Sequence, residues 1–177
     1  MKIRLLAATS ILVALFLAVP LAQSVTKPTL EGVTNFARLE TTIACAGATT
    51  PAAVAGLKQM GYASIINLRV ASEPGAEVEA ETAAAKAAGM TFVHLPFNAA
   101  SPDPAIVDGF LKAVTEPKNQ PAFVHCASAN RAAAMWMIKR MKVDKWDADR
   151  AGAEATSLGL TSGALKTFAL DYVKTHQ

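Results

Sequence analysis

Residues 122–131 read AFVHCASANR. A short, mainly apolar run leads directly into a cysteine, and four further residues separate this cysteine from an arginine. The apolar run follows a proline-bounded turn and predicts a short buried β-strand over residues 122–125. Beyond Cys126, residues 130–141 predict a helix that is apolar on nearly all sides and therefore central and buried. A strand, a tight loop and a helix in this order are typical of a parallel sheet that binds ligands at the carboxyl ends of its strands.

The rest of the chain repeats this alternation of strands and helices. Thr50 and Asp103 are predicted helix N-caps, each followed by a proline, and Gly89 ends a helix. Strands are predicted over residues 35–39, 42–46, 64–68 and 91–95, and helices over residues 51–60, 77–88, 104–115, 147–158 and 162–176. The pattern predicts an α/β fold, with a single domain over residues 32–175 and a mainly parallel sheet flanked by helices.

The amino-terminal segment has the order of a secretory signal peptide. A short basic region precedes an apolar run over residues 5–19, and small residues follow at Ala22 and Ser24. The run is short for a membrane span, which needs about 20 apolar residues. We therefore expect residues 1–24 to be removed, which gives a periplasmic or secreted protein with no membrane contact after cleavage.

Composition excludes several classes of protein. The net charge is +3, and it falls to +1 without residues 1–24, so nucleic acid is not an expected partner. Two cysteines are too few for a disulfide scaffold, and the scattered histidines show no metal-ligand spacing. The chain has neither a GxGxxG fingerprint nor a Walker loop, so no organic cofactor is expected.

The loop after the strand over residues 122–125 carries the only predicted chemistry. The amides of Ala127, Ser128, Ala129 and Asn130, together with the helix N-terminus, can bind a tetrahedral oxyanion. The same positive field favours a thiolate at the preceding cysteine, which makes that cysteine a candidate nucleophile. The arginine that ends the loop can hold two oxyanion oxygens at once.

Most of the mature chain, residues 32–172, resembles bacterial dual-specificity-phosphatase-like proteins related to the phosphatase-like domain of beta-lactamase-hydrolase-like proteins. The resemblance rests on short motifs: Val33-Thr34-Asn35-Phe36, Gly47-Ala48-Thr49-Thr50-Pro51, Ser64-Ile65-Ile66-Asn67-Leu68-Arg69, Phe92-Val93-His94-Leu95-Pro96, Val124-His125-Cys126-Ala127-Ser128-Ala129-Asn130-Arg131 and Gly159-Leu160-Thr161. It implies a cysteine phosphatase fold and hydrolysis of phosphomonoesters, including phosphotyrosine, through a phosphocysteine.

The same resemblance assigns roles to the loop residues. Cys126 attacks phosphorus, Arg131 binds the phosphoryl oxygens, and His125 orients the loop and supports the thiolate. Ser128 and the amides of residues 127–130 line the pocket. The substrate is then a phosphorylated small molecule or protein.

Several features depart from this pattern. Only four residues separate Cys126 from Arg131, whereas ordinary protein tyrosine phosphatases have a longer loop and rhodaneses, which carry sulfur on the cysteine, have this length. Ala129 stands where glycine is common, and a positive φ there costs alanine about 1 kcal/mol. Ala132 replaces the hydroxyl residue that usually stabilises the departing thiolate.

The general acid is the weakest element of the predicted site. The loop after Pro96 is its expected place, but Asn98 cannot donate a proton in that way. Asp103 is the nearest carboxylate and is first of all a predicted helix cap. Asp108 lies further along the same helix and is a weaker candidate.

The sequence allows two roles each for Cys45, Arg131 and Arg69. Cys45 is either a buried free thiol or a redox partner of Cys126, since a disulfide needs Cα atoms within about 7 Å. Arg131 could also pair with a structural carboxylate, and Arg69 could bind Glu73 or Glu77 instead of lining the pocket.

Three functions therefore remain from the sequence. The first is a secreted cysteine-dependent phosphatase that acts through Cys126. The second is sulfurtransfer through a persulfide on Cys126, which the short loop favours. The third is a non-catalytic domain that binds anions or is stabilised by a disulfide.

Overall fold

The computed structural model describes residues 24–176, whose strands form one six-stranded sheet. The strands are β1 (Val25–Thr26), β2 (Ala37–Leu39), β3 (Ile43–Ala46), β4 (Ser64–Asn67), β5 (Thr91–His94) and β6 (Ala122–His125). Their order across the sheet is β1-β2-β3-β6-β4-β5. The first three strands are antiparallel, and β3, β6, β4 and β5 are parallel to one another.

Helices cover both faces of this sheet. They are α1 (Val54–Gln59), α2 (Val78–Ala87), α3 (Pro104–Thr115), α4 (Asn130–Lys142), α5 (Ala148–Ser157) and α6 (Gly163–Thr175), with short 3-10 turns at Pro51–Ala53 and Pro117–Asn119. One core cluster joins α1 and α2 to the sheet, and a second joins α3, α4, α5 and α6 to its other face. The predicted α/β architecture with a mainly parallel sheet is confirmed.

Helix α4 is the centre of the larger core cluster. Every residue from Ala132 to Ile138 is buried, so the helix has no solvent-exposed face over this stretch. Its first turn follows the end of β6, which fixes where the loop over residues 126–129 lies. Burial of this apolar helix against the sheet therefore positions the loop that carries the predicted chemistry.

The structure adds a strand where none is predicted. Residues 25 and 26 form β1, which pairs with Leu39 and Arg38 at the edge of the sheet. Thr50 lies at the predicted N-cap position, with an extended backbone and Pro51 next to it, but its side chain makes no capping hydrogen bond. Asp103 does cap α3, since its carboxylate accepts a hydrogen bond from the Ala105 amide at 2.9 Å.

The predicted signal peptide lies almost wholly outside the described residues, and its cleavage stays a prediction. Within residues 24–176, no helix has the length and apolar character that crossing a membrane requires.

Candidate active site

Cys126 lies at the carboxyl end of β6, at the centre of the parallel part of the sheet. Its amide donates to the Ala46 carbonyl at 3.1 Å, and the Leu68 amide donates to the His125 carbonyl at 2.9 Å. These bonds extend the sheet by one residue on both sides of β6. Cys126 is completely buried, so its thiol lies at the base of the site, beneath the loop.

Hydrogen bonds from Asn35 and Ala48, which lie before and after strands β2 and β3, orient the peptide groups that follow Cys126. The Ala127 carbonyl accepts from the Ala48 amide at 3.1 Å, and the Ser128 carbonyl accepts from Asn35 Nδ2 at 3.4 Å. In a trans peptide the next amide points away from the carbonyl. The Ser128 amide is therefore directed away from Ala48, as a loop that binds an oxyanion requires.

Ala129 has the left-handed backbone that the sequence suggested. Its φ is 72° and its ψ is −18°, immediately before the first turn of α4. This conformation costs an alanine about 1–2 kcal/mol. The chain therefore keeps the backbone geometry of a glycine-containing loop without the glycine.

Arg131 projects from the first turn of α4 and is bound by Glu73. The Arg131 Nη1 donates to Glu73 Oε1 at 2.6 Å, and Nη2 donates to Glu73 Oε2 at 2.7 Å. The carbonyls of Leu68 and Phe97 also accept from Nη1, at 3.1 and 3.0 Å. The structure therefore shows the carboxylate partner that the sequence allowed for Arg131.

This ion pair uses only part of the guanidinium. Arginine has five N–H donors, and its Nε–H lies on the same edge as one Nη2 hydrogen. Glu73 takes the end of the fork, and the two backbone carbonyls take the outer Nη1 hydrogen. The edge formed by Nε and Nη2 remains for a second pair of acceptor oxygens, so Arg131 can hold Glu73 and an oxyanion together.

The charges of this group are strongly coupled. Hydrogen bonds from Arg131 lower the pKa of Glu73 to about 2, with smaller contributions from the Val70 amide and from Arg69. Burial acts to lower the pKa of Arg131, but Glu73 and Cys126 together raise it above its ordinary value. Cys126 is therefore close enough to act on the guanidinium, which places the thiol and the clamp in one site.

Arg69 shapes the loop that presents Glu73. Its Nη1 and Nη2 donate to the carbonyls of Gly75 and Pro74, both at 2.6 Å, and its Nε donates to Glu73 at 3.3 Å. The Val70 amide donates to the same carboxylate at 2.9 Å. Of the alternatives for Arg69, the ion pair with Glu73 is the one observed.

The role of Glu73 toward Arg131 was missed from the sequence. The two residues are 58 positions apart, so no local spacing connects them. The sequence feature that could have indicated this contact is the position of Glu73 in the loop after β4, at the same edge of the sheet as Arg131.

His125 lies on the opposite face of β6 from Cys126, because successive side chains of a strand alternate. Its Nε2 is 2.9 Å from Glu81 Oε1, and both side chains are buried. The other oxygen of Glu81 accepts from Asn67 Nδ2 at 2.7 Å. Asn67 is the β4 neighbour of His125, so this buried group fixes the ends of the two strands beneath the loop.

The side chain of Asn130 is engaged outside the predicted oxyanion cradle. Its Oδ1 accepts from the amides of Thr161 and Ser162, both at 2.7 Å. Asn130 therefore holds the connection between α5 and α6 against the loop. Only its backbone amide remains for the predicted contact with an oxyanion. Ser128 is exposed beside it.

Among residues 24–176, both candidate general acids have their hydrogen bonds elsewhere, away from Cys126 and Arg131. Asp103 is exposed and caps α3, and among the described residues no contact joins it to Cys126 or Arg131. Asp108 accepts from the Tyr172 hydroxyl at 2.6 Å and belongs to the α3–α6 contact. The capping role predicted for Asp103 is confirmed, and its catalytic role stays a prediction.

Cys45 is a neighbour of the nucleophile within the sheet. It pairs in register with Val124, two residues before Cys126, and both cysteines face the same core cluster. Burial raises the pKa of the Cys45 thiol well above its ordinary value, and the charges of Cys126 and Glu154 add to this effect. Both cysteines are free thiols in this structure.

Across residues 24–176, no group of His, Cys, Asp and Glu side chains forms a metal-binding cluster. His94 Nε2 donates a 2.8 Å hydrogen bond to the Arg69 carbonyl. The groups that the structure brings together at the end of β6 are the Cys126 thiol, the loop amides and Arg131.

A buried cysteine at the end of a central parallel strand, followed by a tight loop and an arginine in the next helix, is the arrangement found in the cysteine-phosphatase fold. The chain belongs to the family described as beta-lactamase hydrolase-like protein, phosphatase-like domain, whose model matches residues 35–143. A search of curated proteins finds no match.

Solved structures share this fold at low sequence identity. TpbA of P. aeruginosa is 20% identical, with a TM-score of 0.62 over 81% of this chain and 86% of that chain. A DUF442 protein of Shewanella putrefaciens CN-32 is 20% identical, with a TM-score of 0.67 over 82% and 95%. The core catalytic domain of the PP-IP phosphatase SIW14 of S. cerevisiae is 19% identical, with a TM-score of 0.64 over 84% and 88%.

Proposed function

We propose that this protein is a secreted cysteine-dependent phosphatase that hydrolyses phosphomonoesters, phosphotyrosine among them. The observation that carries the proposal is the position of Arg131 beside the Cys126 thiol, with Glu73 bound to Nη1 and Nη2 and not to Nε. A structure of TpbA in complex with pTyr, 20% identical to this chain, supports phosphotyrosine as the substrate to test first.

The proposed reaction has two steps. The Cys126 thiolate attacks phosphorus, the bond from phosphorus to the ester oxygen breaks so that the alcohol or phenolate leaves, and the phosphoryl group is carried as a phosphocysteine. Water then attacks phosphorus, the sulfur–phosphorus bond breaks, and inorganic phosphate leaves. Arg131 and the loop amides bind the equatorial oxygens, where negative charge is spread in the transition state.

Sulfurtransfer is the second candidate, and the four-residue spacing between Cys126 and Arg131 favours it. In that reaction the outer sulfur of thiosulfate is transferred to Cys126, which becomes a persulfide, and sulfite leaves. The two reactions use the same nucleophile, so substrate and covalent adduct distinguish them.

Secretion is supported by the sequence of residues 1–24 alone, as a basic region followed by an apolar run and small residues. Amino-terminal sequencing of the protein exported by a bacterial host tests it. A mature terminus at Gln23 or Val25 supports cleavage, and an uncleaved chain in the membrane fraction contradicts it.

The first test is turnover of p-nitrophenyl phosphate by the purified protein under reducing conditions. We expect Cys126→Ser to abolish turnover and Arg131→Lys, which keeps the charge but loses the fork, to reduce it about 100-fold. Cys45→Ala is the matched control and keeps turnover. Release of phosphate that does not need Cys126 would contradict the proposal, and sulfite release from thiosulfate without phosphatase turnover would favour sulfurtransfer.

A further inference from the structure

Glu81 is a buried carboxylate that the proposed reaction does not use. Its side chain is 1% exposed, and it lies on the inner face of α2, one turn before the buried Ala85. A carboxylate that is removed from water costs free energy unless polar partners compensate for the lost hydration. The burial of Glu81 therefore has to be explained by what its side chain contacts.

Glu81 contacts one polar side chain on each of two neighbouring strands. Its Oε1 is 2.9 Å from His125 Nε2 at the end of β6, and its Oε2 accepts from Asn67 Nδ2 at 2.7 Å at the end of β4. Asn67 and His125 are register partners in the sheet. One side chain of α2 thus bridges the last residues of two adjacent parallel strands.

The contact with His125 holds the residue that directly precedes the nucleophile. The imidazole stacks on Phe123, with ring centroids 5.9 Å apart. Within residues 24–176, Nδ1 of this ring has no hydrogen-bond partner, so its polar contact is the one between Nε2 and Glu81. Because Cys126 follows in the chain, a displacement of His125 would move the backbone of the nucleophile with it.

The contact with Asn67 leads to the segment that holds the arginine. Asn67 Oδ1 accepts from the Arg69 amide at 2.7 Å, and Arg69 Nε donates to Glu73 at 3.3 Å. Glu73 in turn binds Arg131 at 2.6 and 2.7 Å. A continuous series of hydrogen bonds and ion pairs therefore connects Glu81 to Arg131.

We propose that Glu81 is a positioning residue that holds Cys126 and Arg131 in one site. The inference rests on the proposed function and adds to it a residue that acts at a distance from the reacting atoms. Within residues 24–176, the polar contacts of the Glu81 side chain are with His125 and Asn67, so it acts through the ends of β6 and β4. Misplacement of a catalytic group by about 1 Å costs about 10²-fold in rate.

The test reverses one hydrogen bond to separate positioning from folding. Glu81→Gln keeps the shape of the side chain but sets its NH₂ group against the NH₂ group of Asn67, so that two donors face each other. In the reversed pair, Asn67→Asp/Glu81→Gln, the new carboxylate accepts from the glutamine, and one buried carboxylate is kept. Glu79→Gln, which changes an exposed acid of the same helix, is the matched control.

The readouts are kcat and KM for p-nitrophenyl phosphate, at a temperature at which circular dichroism shows each variant folded. We expect kcat to fall about 10- to 100-fold in Glu81→Gln, with a smaller change in KM, because misplacement acts mainly on the transition state. The reversed pair should recover kcat to within about threefold of the wild type, since all three hydrogen-bonded contacts are restored.

A role in folding alone gives a different result. In that case the melting temperature falls in Glu81→Gln and the kcat of the folded protein stays at the wild-type level, which overturns the proposal. A reversed pair that folds but stays as slow as Glu81→Gln also overturns it. If Glu81→Gln does not fold, Glu81→Asp, which keeps the charge and shortens the side chain by one methylene, replaces it with the same expected fall in kcat.

A second readout does not depend on phosphatase activity. If the wild type does not turn over p-nitrophenyl phosphate, the proposed function fails, and the rate at which iodoacetate alkylates Cys126, followed by peptide mapping, decides the role of Glu81. Slower alkylation in Glu81→Gln than in Glu79→Gln, with recovery in the reversed pair, supports positioning. Equal alkylation rates in these variants overturn it.

Discussion

Glu73 binds Arg131 end-on through two hydrogen bonds of 2.6 and 2.7 Å, which involve Nη1 and Nη2 and not Nε. Glu73 is in turn held by Arg69 and by the Val70 amide, which belong to the loop after β4. The clamp proposed for the phosphoryl group is thus positioned by a neighbouring strand of the sheet. We regard Glu73 as a positioning residue, since it acts through Arg131.

Replacing Glu73 by glutamine should lower activity by releasing this clamp. Glutamine keeps the shape but loses one of the two acceptor oxygens and the charge, and small misplacement of a catalytic group costs about 10²-fold. We expect kcat/KM for p-nitrophenyl phosphate to fall 10- to 100-fold in Glu73→Gln, about the range that such misplacement gives. The matched control is Glu77→Gln, because Glu77 is an exposed acid of the same segment. Wild-type activity in Glu73→Gln would contradict the role of Glu73 as a positioning residue.

Acid stability should also depend on Glu73. Its pKa is lowered to about 2 in the folded protein, below the ordinary value of about 4.3. A carboxylate whose pKa is lowered by folding stabilises the protein fully above its unfolded pKa, and this contribution is lost as the pH falls toward the folded pKa. The free energy of unfolding, measured by urea denaturation between about pH 5 and pH 2, should fall less steeply in Glu73→Gln than in the wild type. Parallel curves would show that the ion pair does not form in solution.

Two substitutions of Asp103 distinguish a role in helix capping from a role in proton donation. Asparagine caps a helix about as well as aspartate but cannot act as a general acid, whereas alanine does neither. We expect Asp103→Ala to lose about 1 kcal/mol of stability and Asp103→Asn to lose little. If the residue is only a cap, Asp103→Asn keeps the kcat for p-nitrophenyl phosphate and for phenyl phosphate, which has the poorer leaving group. A drop confined to phenyl phosphate would instead identify Asp103 as the acid.

Cys45 is predicted to protect Cys126 from irreversible oxidation. Peroxide converts a cysteine nucleophile to a sulfenic acid, and the Cys45 thiol can then attack that sulfur with loss of water to give a disulfide. Because Cys45 is the register partner of Val124, its Cα is a diagonal neighbour of the Cys126 Cα at about 7–8 Å, so closing the disulfide also requires a small backbone movement. After equal exposure to peroxide, dithiothreitol should restore more activity to the wild type than to Cys45→Ala. Non-reducing peptide mapping of the oxidised wild type should show the Cys45–Cys126 link. Equal recovery of the two proteins and no linked peptide would leave Cys45 a buried thiol.

Much of the fold follows from local signals in the sequence. Helix α3 and strand β6 have the predicted bounds, because Pro104 after a capping Asp103 fixes one start and Pro121 ends the turn before the other. Helix α4 was expected to be central because its apolar residues cover all sides. In each of these segments, neighbouring residues alone carry the signal.

What the sequence did not reveal depends on distant contacts. Strand β1 has two residues, too few for any periodicity, and exists because β2 offers it a partner. Glu73 meets Arg131, and Asn130 meets Thr161, only after the sheet and helices have assembled. Cys126 and Arg131 could be identified as a candidate site, whereas the partners that orient them could not.

The central claim is that Cys126 carries the phosphoryl group, and rapid-quench mass spectrometry tests it most directly. The wild-type protein is mixed with p-nitrophenyl phosphate, quenched in acid within the first turnover and mapped by peptide. We predict a single phosphoryl adduct on the peptide that contains Cys126, which forms in Glu77→Gln and is absent in Cys126→Ser. Turnover without this adduct, or an adduct on another residue, would contradict the account.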